Sequence, residues 1–240
     1  MITGHGLVAK AFRGFATNDR VHVFASGVSR SLEDNDAAFR RESDLILAQR
    51  LAPGRFVYFS SCGVFDPSLE GSKYIRHKLA TEQLVRELYP DHLIIRLPNL
   101  VGHTDNPHTL TNFLRDRIVQ NGSFELHSRA CRYLLDMDDA VQDLSPMLLR
   151  PDLRGTTMNV SGSVPVTLPE LVRSMEHVLG KRVRAITTDK GSCYTIDNGL
   201  FLSLLPASRR EAYARSYTME LLLKYYGPAR SGPEAMGRDL

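Results

Sequence analysis

Apolar and polar positions along the chain fall into blocks that read as strands and helices in turn. Val21-His22-Val23-Phe24 and Phe56-Val57-Tyr58-Phe59 are short runs of β-formers, the second bounded by Gly54 and Ser60, and both predict buried strands. Leu93-Ile94-Ile95 sits in a longer stretch, His92 to Gly102, which predicts a parallel strand whose end opens into a loop at Pro98 and Asn99. Between the strands, helical spacing runs from Asp36 to Leu51 and again after a turn built on Asp66, Pro67 and Gly71. Further on, Ser123 to His127 alternates like an exposed strand, and Gly155 to Gly162 reads as another. Thr167 caps a helix that carries Leu171, Val172, Met175 and Val178. Arg184 to Thr188 and Tyr217 to Tyr226 predict one more strand and a final helix. Strands alternating with helices predict an α/β fold, a parallel sheet with helices on both faces.

The stretch from Arg55 to Gln83 carries the chemistry. Ser60 and Ser61 stand where its strand stops, and Tyr74 and Lys78, four residues apart, share one face of the following helix. An ammonium beside a phenol favours the phenolate, so Tyr74 is placed to exchange a proton with a substrate hydroxyl or carbonyl. Ser61 could hydrogen-bond the same oxygen. A bare Tyr-x-x-x-Lys pair is usually just an exposed pair on a helix, and the strand-Ser-Ser unit in front of it is what gives this one weight. Together these residues resemble the serine-tyrosine-lysine constellation of the short-chain dehydrogenase/reductases, in the extended branch of NAD-dependent nucleotide-sugar epimerases and dehydratases. The resemblance covers roughly Met1 to Gly180.

That resemblance orders the rest of the chain. It implies a Rossmann-like domain over residues 1–226, with elements of a small substrate lobe from about 100–132 and 155–226 and a flexible tail at 227–240. Gly4-His5-Gly6-Leu7-Val8-Ala9 would let backbone N–H groups at Gly4, Gly6 and Leu7 approach a cofactor pyrophosphate. The branch normally spaces these glycines Gly-x-x-Gly-x-x-Gly after a longer strand. Val21 to Gly27 has two readings: the second Rossmann strand, with Arg30 facing a 2′-phosphate, or the fourth, ending at Ala25 and Ser26 near the nicotinamide. The fourth-strand reading keeps the family order of the elements that follow. It leaves out a strand-helix-strand segment of the adenosine half, with the acid that would hold the ribose, and puts the first strand at a sheet edge. An open edge calls for a covering loop or a homodimer.

The same resemblance assigns Lys78 to the nicotinamide ribose, Pro98 to the nicotinamide itself, and Asn99 to the substrate diphosphate. Arg132 would grip that diphosphate with its guanidinium fork. Asp138 and Asp139 read as helix-capping residues rather than metal ligands.

Composition changes little in this picture. The 240 residues are 42% hydrophobic and 24% charged, as expected of a globular protein, and 30 basic against 27 acidic side chains give a net charge of +3. No basic patch interleaved with aromatics argues for nucleic acid, and no apolar run argues for a membrane span. Three cysteines without metal-like spacing, Cys62, Cys131 and Cys193, predict reduced thiols and a cytoplasmic setting. The expected function is NAD- or NADP-dependent epimerisation or ketone reduction of a nucleotide-activated sugar. Cys62-Gly63-Val64 stands where the 4,6-dehydratases often carry an Asp-Glu pair, which disfavours dehydration. The competing expectation is a non-catalytic binding or regulatory protein on the same scaffold.

Overall fold

The computed structural model describes residues 1–162, 164–214 and 216–228. The chain opens with β1 (Ile2–Thr3), the short helix α1 (Leu7–Ala11), β2 (Val21–Phe24), α2 (Asp36–Ala48), β3 (Arg55–Ser61), α3 (Lys73–Leu88) and β4 (His92–Leu97). Successive strands pair in parallel, with Ile2 opposite Val23, Val23 opposite Val57 and Val57 opposite Leu93. Side chains alternate between faces along each strand. Val21, Val23, Val57, Phe59, Leu93 and Ile95 therefore share one apolar core, to which α1 contributes Leu7 and Val8. Phe24, Phe56, Tyr58 and Ile94 point the other way, onto Ile46 of α2 and Val85 of α3.

At Pro98 the chain leaves the sheet. The strand expected from His92 ends there as read, because proline has no N–H to continue the ladder, although a further short strand forms where a loop was expected. β5 (Asn99–Val101) follows, then α4 (Leu110–Val119), β6 (Ser123–His127), β7 (Cys131–Arg132) and β8 (Leu134–Asp136), which pairs in parallel with β5. The chain then returns through α5 (Met137–Met147), whose Ala140 and Leu144 pack onto the sheet, and β9 (Thr156–Asn159), the sheet's fifth strand beside β4. Asp136, slightly earlier than expected, caps α5 through its Oδ1 on the Asp138 N–H at 2.8 Å.

A second departure comprises β10 (Val166–Thr167), α6 (Leu168–Leu179) and β11 (Arg184–Thr188), the two strands pairing with β7 and β6. α7 (Gly199–Ser203) and α8 (Ala207–Tyr213) return Phe201 and Tyr213 to the sheet core. Finally α9 (Thr218–Tyr226) places Leu221 and Leu222 in a second core, shared with Leu114, Ile118, Leu171 and Met175 of the lobe.

The strand order is β1-β2-β3-β4-β9, so β1 lies at the edge and β2 takes the place expected of a fourth strand. One expectation is overturned: Cys131 and Cys193 form a disulfide, with Cα atoms 4.7 Å apart, and Cys62 alone is free and buried. Spacing along the sequence carried no sign of this pairing, because 62 positions separate the two residues and β11 brings them together by pairing with β6. Among the described residues no helix is long and apolar enough to cross a membrane. The expected tail falls at its end on 229–240, outside the described residues.

Candidate functional site

The site is assembled at the carboxyl ends of the parallel strands, where an open α/β sheet binds its ligands. Gly4 leaves β1 with φ of +127°, and a side chain there would run into the Ala25 carbonyl at the end of β2. Gly6, at the start of α1, has open space where a side chain would stand. Ser61 ends β3 opposite Leu97, so it lies next to Pro98, and its Oγ accepts the Gly63 N–H at 3.0 Å while keeping its own proton to donate. Asn99 is held by Tyr133, whose carbonyl accepts its backbone N–H at 3.0 Å and its Nδ2 at 3.2 Å. Arg132 Nη1 stands 3.4 Å from Asp66 in the turn after Ser61. Ser61, Pro98, Asn99 and Arg132 are thus gathered along one rim, and Cys62 and Tyr133, their neighbours in sequence, pack in an apolar cluster with Ile196.

Tyr74 and Lys78 approach from α3, which starts at the Ser72 cap. Tyr74 packs among Val28, Phe39 and Ile75 and is 4% exposed. The Lys78 ammonium lies 5.9 Å from the Tyr74 ring centre, so the pair shares one face as its spacing requires. It is also held from behind: Nζ donates to Glu42 Oε1 at 3.2 Å and to the Tyr58 hydroxyl at 3.1 Å. Glu42 is fully buried on α2 and also accepts from Tyr58 at 2.7 Å and from the Val28 N–H at 2.6 Å, with the His77 ring nitrogen at 2.9 Å.

Burial by itself would raise the Glu42 carboxyl. The Lys78 charge and the hydrogen bonds from His77, Val28 and Tyr58 outweigh it and hold Glu42 at about 2. Tyr58 is driven the opposite way, well above the usual phenol range, by burial and the Glu42 charge, so it stays protonated. A Cβ on Gly27 would meet both Glu42 Oε1 and Lys78 Nζ at 2.9 Å, and glycine there leaves room for the ion pair.

Glu42, Tyr58 and His77 were not among the site residues read from the sequence. The signal was present, since Phe39, Glu42 and Ile46 fall at helical spacing on the buried stripe of α2, where a lone carboxylate needs a partner. A second buried acid, Glu82, holds Arg96 by two bonds of 2.8 and 2.6 Å and accepts from Ser60 at 2.7 Å, bracing β3 and β4 under the site. Arg30 is the outlier. It lies exposed on the loop between β2 and α2, beyond Ala25 and Ser26.

The residues present fit the nicotinamide end of a dinucleotide. The ammonium of Lys78 has three donors and two are committed, leaving one for a ribose hydroxyl. The Gly4–Gly6 turn offers backbone that a bulky phosphate can approach.

No family model matches the chain. A ceramide reductase of Caulobacter vibrioides is 28% identical over 193 residues, 78% of this chain and 58% of that protein, so the chain spans less than two thirds of its relative's length. UDP-glucose 4-epimerase of Thermus thermophilus, solved with NAD, superposes with a TM-score of 0.66 at 14% identity over 92% of this chain and 83% of its own. UDP-glucuronic acid 4-epimerase of Bacillus cereus, solved with UDP-glucuronic acid and NAD, gives 0.68 at 16% identity over 90% and 76%. A dTDP-glucose 4,6-dehydratase of Bacillus anthracis, also with NAD, gives 0.63 at 15% identity over 93% and 77%. The chain shares the Rossmann-like fold of these solved epimerases and dehydratases, shortened at the β1 edge.

Proposed function

We propose that the chain is an NAD(P)-dependent oxidoreductase or epimerase acting at a hydroxyl or ketone carbon of a nucleotide-activated sugar. The observation that carries this reading is the placing of Ser61 at the end of β3 beside Pro98, with Tyr74 and Lys78 on one face of the next helix, within a fold whose solved neighbours hold NAD. Tyr74 gives or takes the proton on the reacting oxygen, Ser61 donates a hydrogen bond to that oxygen, and Lys78 supplies the charge that favours the phenolate. A bound nicotinamide would supply the hydride. Asn99 and Arg132, on the lobe side of the same rim, face the substrate diphosphate. The relative named as a ceramide reductase favours reduction over epimerisation. The open β1 edge favours a homodimer.

The second reading, a binding protein on this scaffold, is favoured by one observation: Lys78 is 2% exposed and already bonded to Glu42 and Tyr58.

The test is to incubate the purified protein with NAD(P)H and a panel of nucleotide-linked 4-keto sugars, following cofactor oxidation by absorbance and products by NMR. Turnover should fall by about 10²-fold or more in Tyr74→Phe, with reduced-cofactor binding unchanged. Turnover unaffected by Tyr74→Phe would remove Tyr74 from the mechanism. Cofactor binding with no turnover on sugars, but with turnover on a long-chain ketone, would move the substrate class to lipids.

A further inference from the structure

We infer that this site recognises the nicotinamide mononucleotide half of a dinucleotide and makes no specific contact with its adenosine half. The inference deepens the proposed function and rests on it.

Few residues separate the first two strands. From Gly4 to Arg20 the chain forms α1 and a 3-10 turn at Arg13–Phe15 and then enters β2, which pairs directly with β1 through Thr3 and Phe24. A parallel crossover connection takes a dozen or more residues, and this segment makes a single one. Among the described residues nothing pairs with the outer edge of β1. In a doubly wound sheet a dinucleotide lies across the strand ends, and the group that reads its adenosine ribose stands at the end of the strand beyond the first. Here the row of strand-end residues starts at Gly4 and runs only inward, through Ala25, Ser61 and Pro98.

The loop between β2 and α2 could substitute for the missing strand, but several charged groups on it and on the start of α2 are committed elsewhere. Glu33 Oε1 accepts the backbone N–H groups of Asp34 and Asn35 at 3.1 and 3.0 Å. Asp36 pairs with Lys73 of α3 at 3.0 Å. Arg41 turns inward, donating to the Ser26 hydroxyl at 3.1 Å and its carbonyl at 2.8 Å. That leaves Arg30 and Asp34, an exposed cation and an exposed carboxylate, whose attraction for a 2′-phosphate or a ribose is screened by solvent. The binding free energy then comes from the mononucleotide half, and neither the adenosine nor its 2′-phosphate is read.

The experiment is to titrate the full chain with NMNH, NADH and NADPH by calorimetry, alongside Arg30→Ala, with folding checked by circular dichroism. Dissociation constants within about fivefold of one another, and unmoved by Arg30→Ala, are the expected result. NADH or NADPH binding more than about fivefold tighter than NMNH would overturn the inference and leave the proposed function standing, with the adenosine held by a second copy or by another part of the chain. No binding of any of the three to the folded protein would overturn the proposed function itself, and the inference with it.

Discussion

A carboxylate with no exposure is stable only while its charge is answered, and Glu42 is answered by a cation and three hydrogen-bonding groups. Glu42→Gln leaves the Lys78 ammonium buried without its counter-charge and should cost about 3 kcal/mol in urea unfolding. The pH dependence has a definite sign. The carboxyl is held at about 2 against an ordinary 4.5, so the unfolded chain takes up its proton first as the medium is acidified. The stability it contributes is complete above pH 4.5 and is lost as pH falls towards 2. Glu82 is lowered too, its burial outweighed by the bonds from Arg96 and Ser60, and adds a loss of the same sign. Unfolding midpoints followed from about pH 6 down to about pH 2 should therefore drop steeply in the native chain and less steeply in Glu42→Gln. Equal slopes would show that Glu42 does not titrate as placed. At this scale the sequence was half legible. That Tyr74 and Lys78 share a helix face and that Ser61 stands at a strand end could be read from local spacing, whereas the partners that fix Lys78 come from α2 and β3, and only folding brings them within 3.2 Å.

Elements with a strong local signal formed where their patterns put them. Thr167 and Glu170 make a full capping box on α6, each side chain serving the other's backbone N–H, and Gly180 ends the helix with φ of +62°. Thr167→Ala should cost about 1 kcal/mol, read as a shift in urea midpoint, and Glu170→Ala made on top of it should add less than it does alone, since the two share one motif. Simple additivity of the two changes would argue against the box. β11 and α9 lie at Arg184–Thr188 and Thr218–Tyr226, within a residue of their predicted spans. α7 and α8 were not foreseen, for they are 5 and 7 residues long and gain their places by burying Phe201 and Tyr213 rather than by periodicity of their own. α1, from Leu7, is little more than one turn of helix before the 3-10 segment that contains Gly14.

At the scale of the whole molecule, the Cys131–Cys193 bridge closes a loop across 62 positions and so constrains the unfolded chain. In the chain-entropy account a loop of this length is worth about 4 kcal/mol, or a fall of about 10 °C in midpoint for a chain of this size. Thermal unfolding with and without a phosphine reductant, repeated on Cys193→Ser, should give that fall in the native chain and no reductant effect in the variant. An unchanged midpoint on reduction would show that the two thiols are not joined.

The route of the chain between its two cores carries a last consequence. It visits the sheet, the lobe, the sheet again at α5 and β9, the lobe again at α6, the sheet at α7 and α8, and the lobe at α9. No single cut can divide such an interleaved path into two self-sufficient pieces, and a truncation anywhere between Pro98 and α7 strips both cores at once. The outer side of β1 is different. A strand-helix-strand unit there would be contiguous in sequence and would touch one flank of the sheet, so it can be missing without opening either core. The molecule is short at a place where this architecture tolerates brevity.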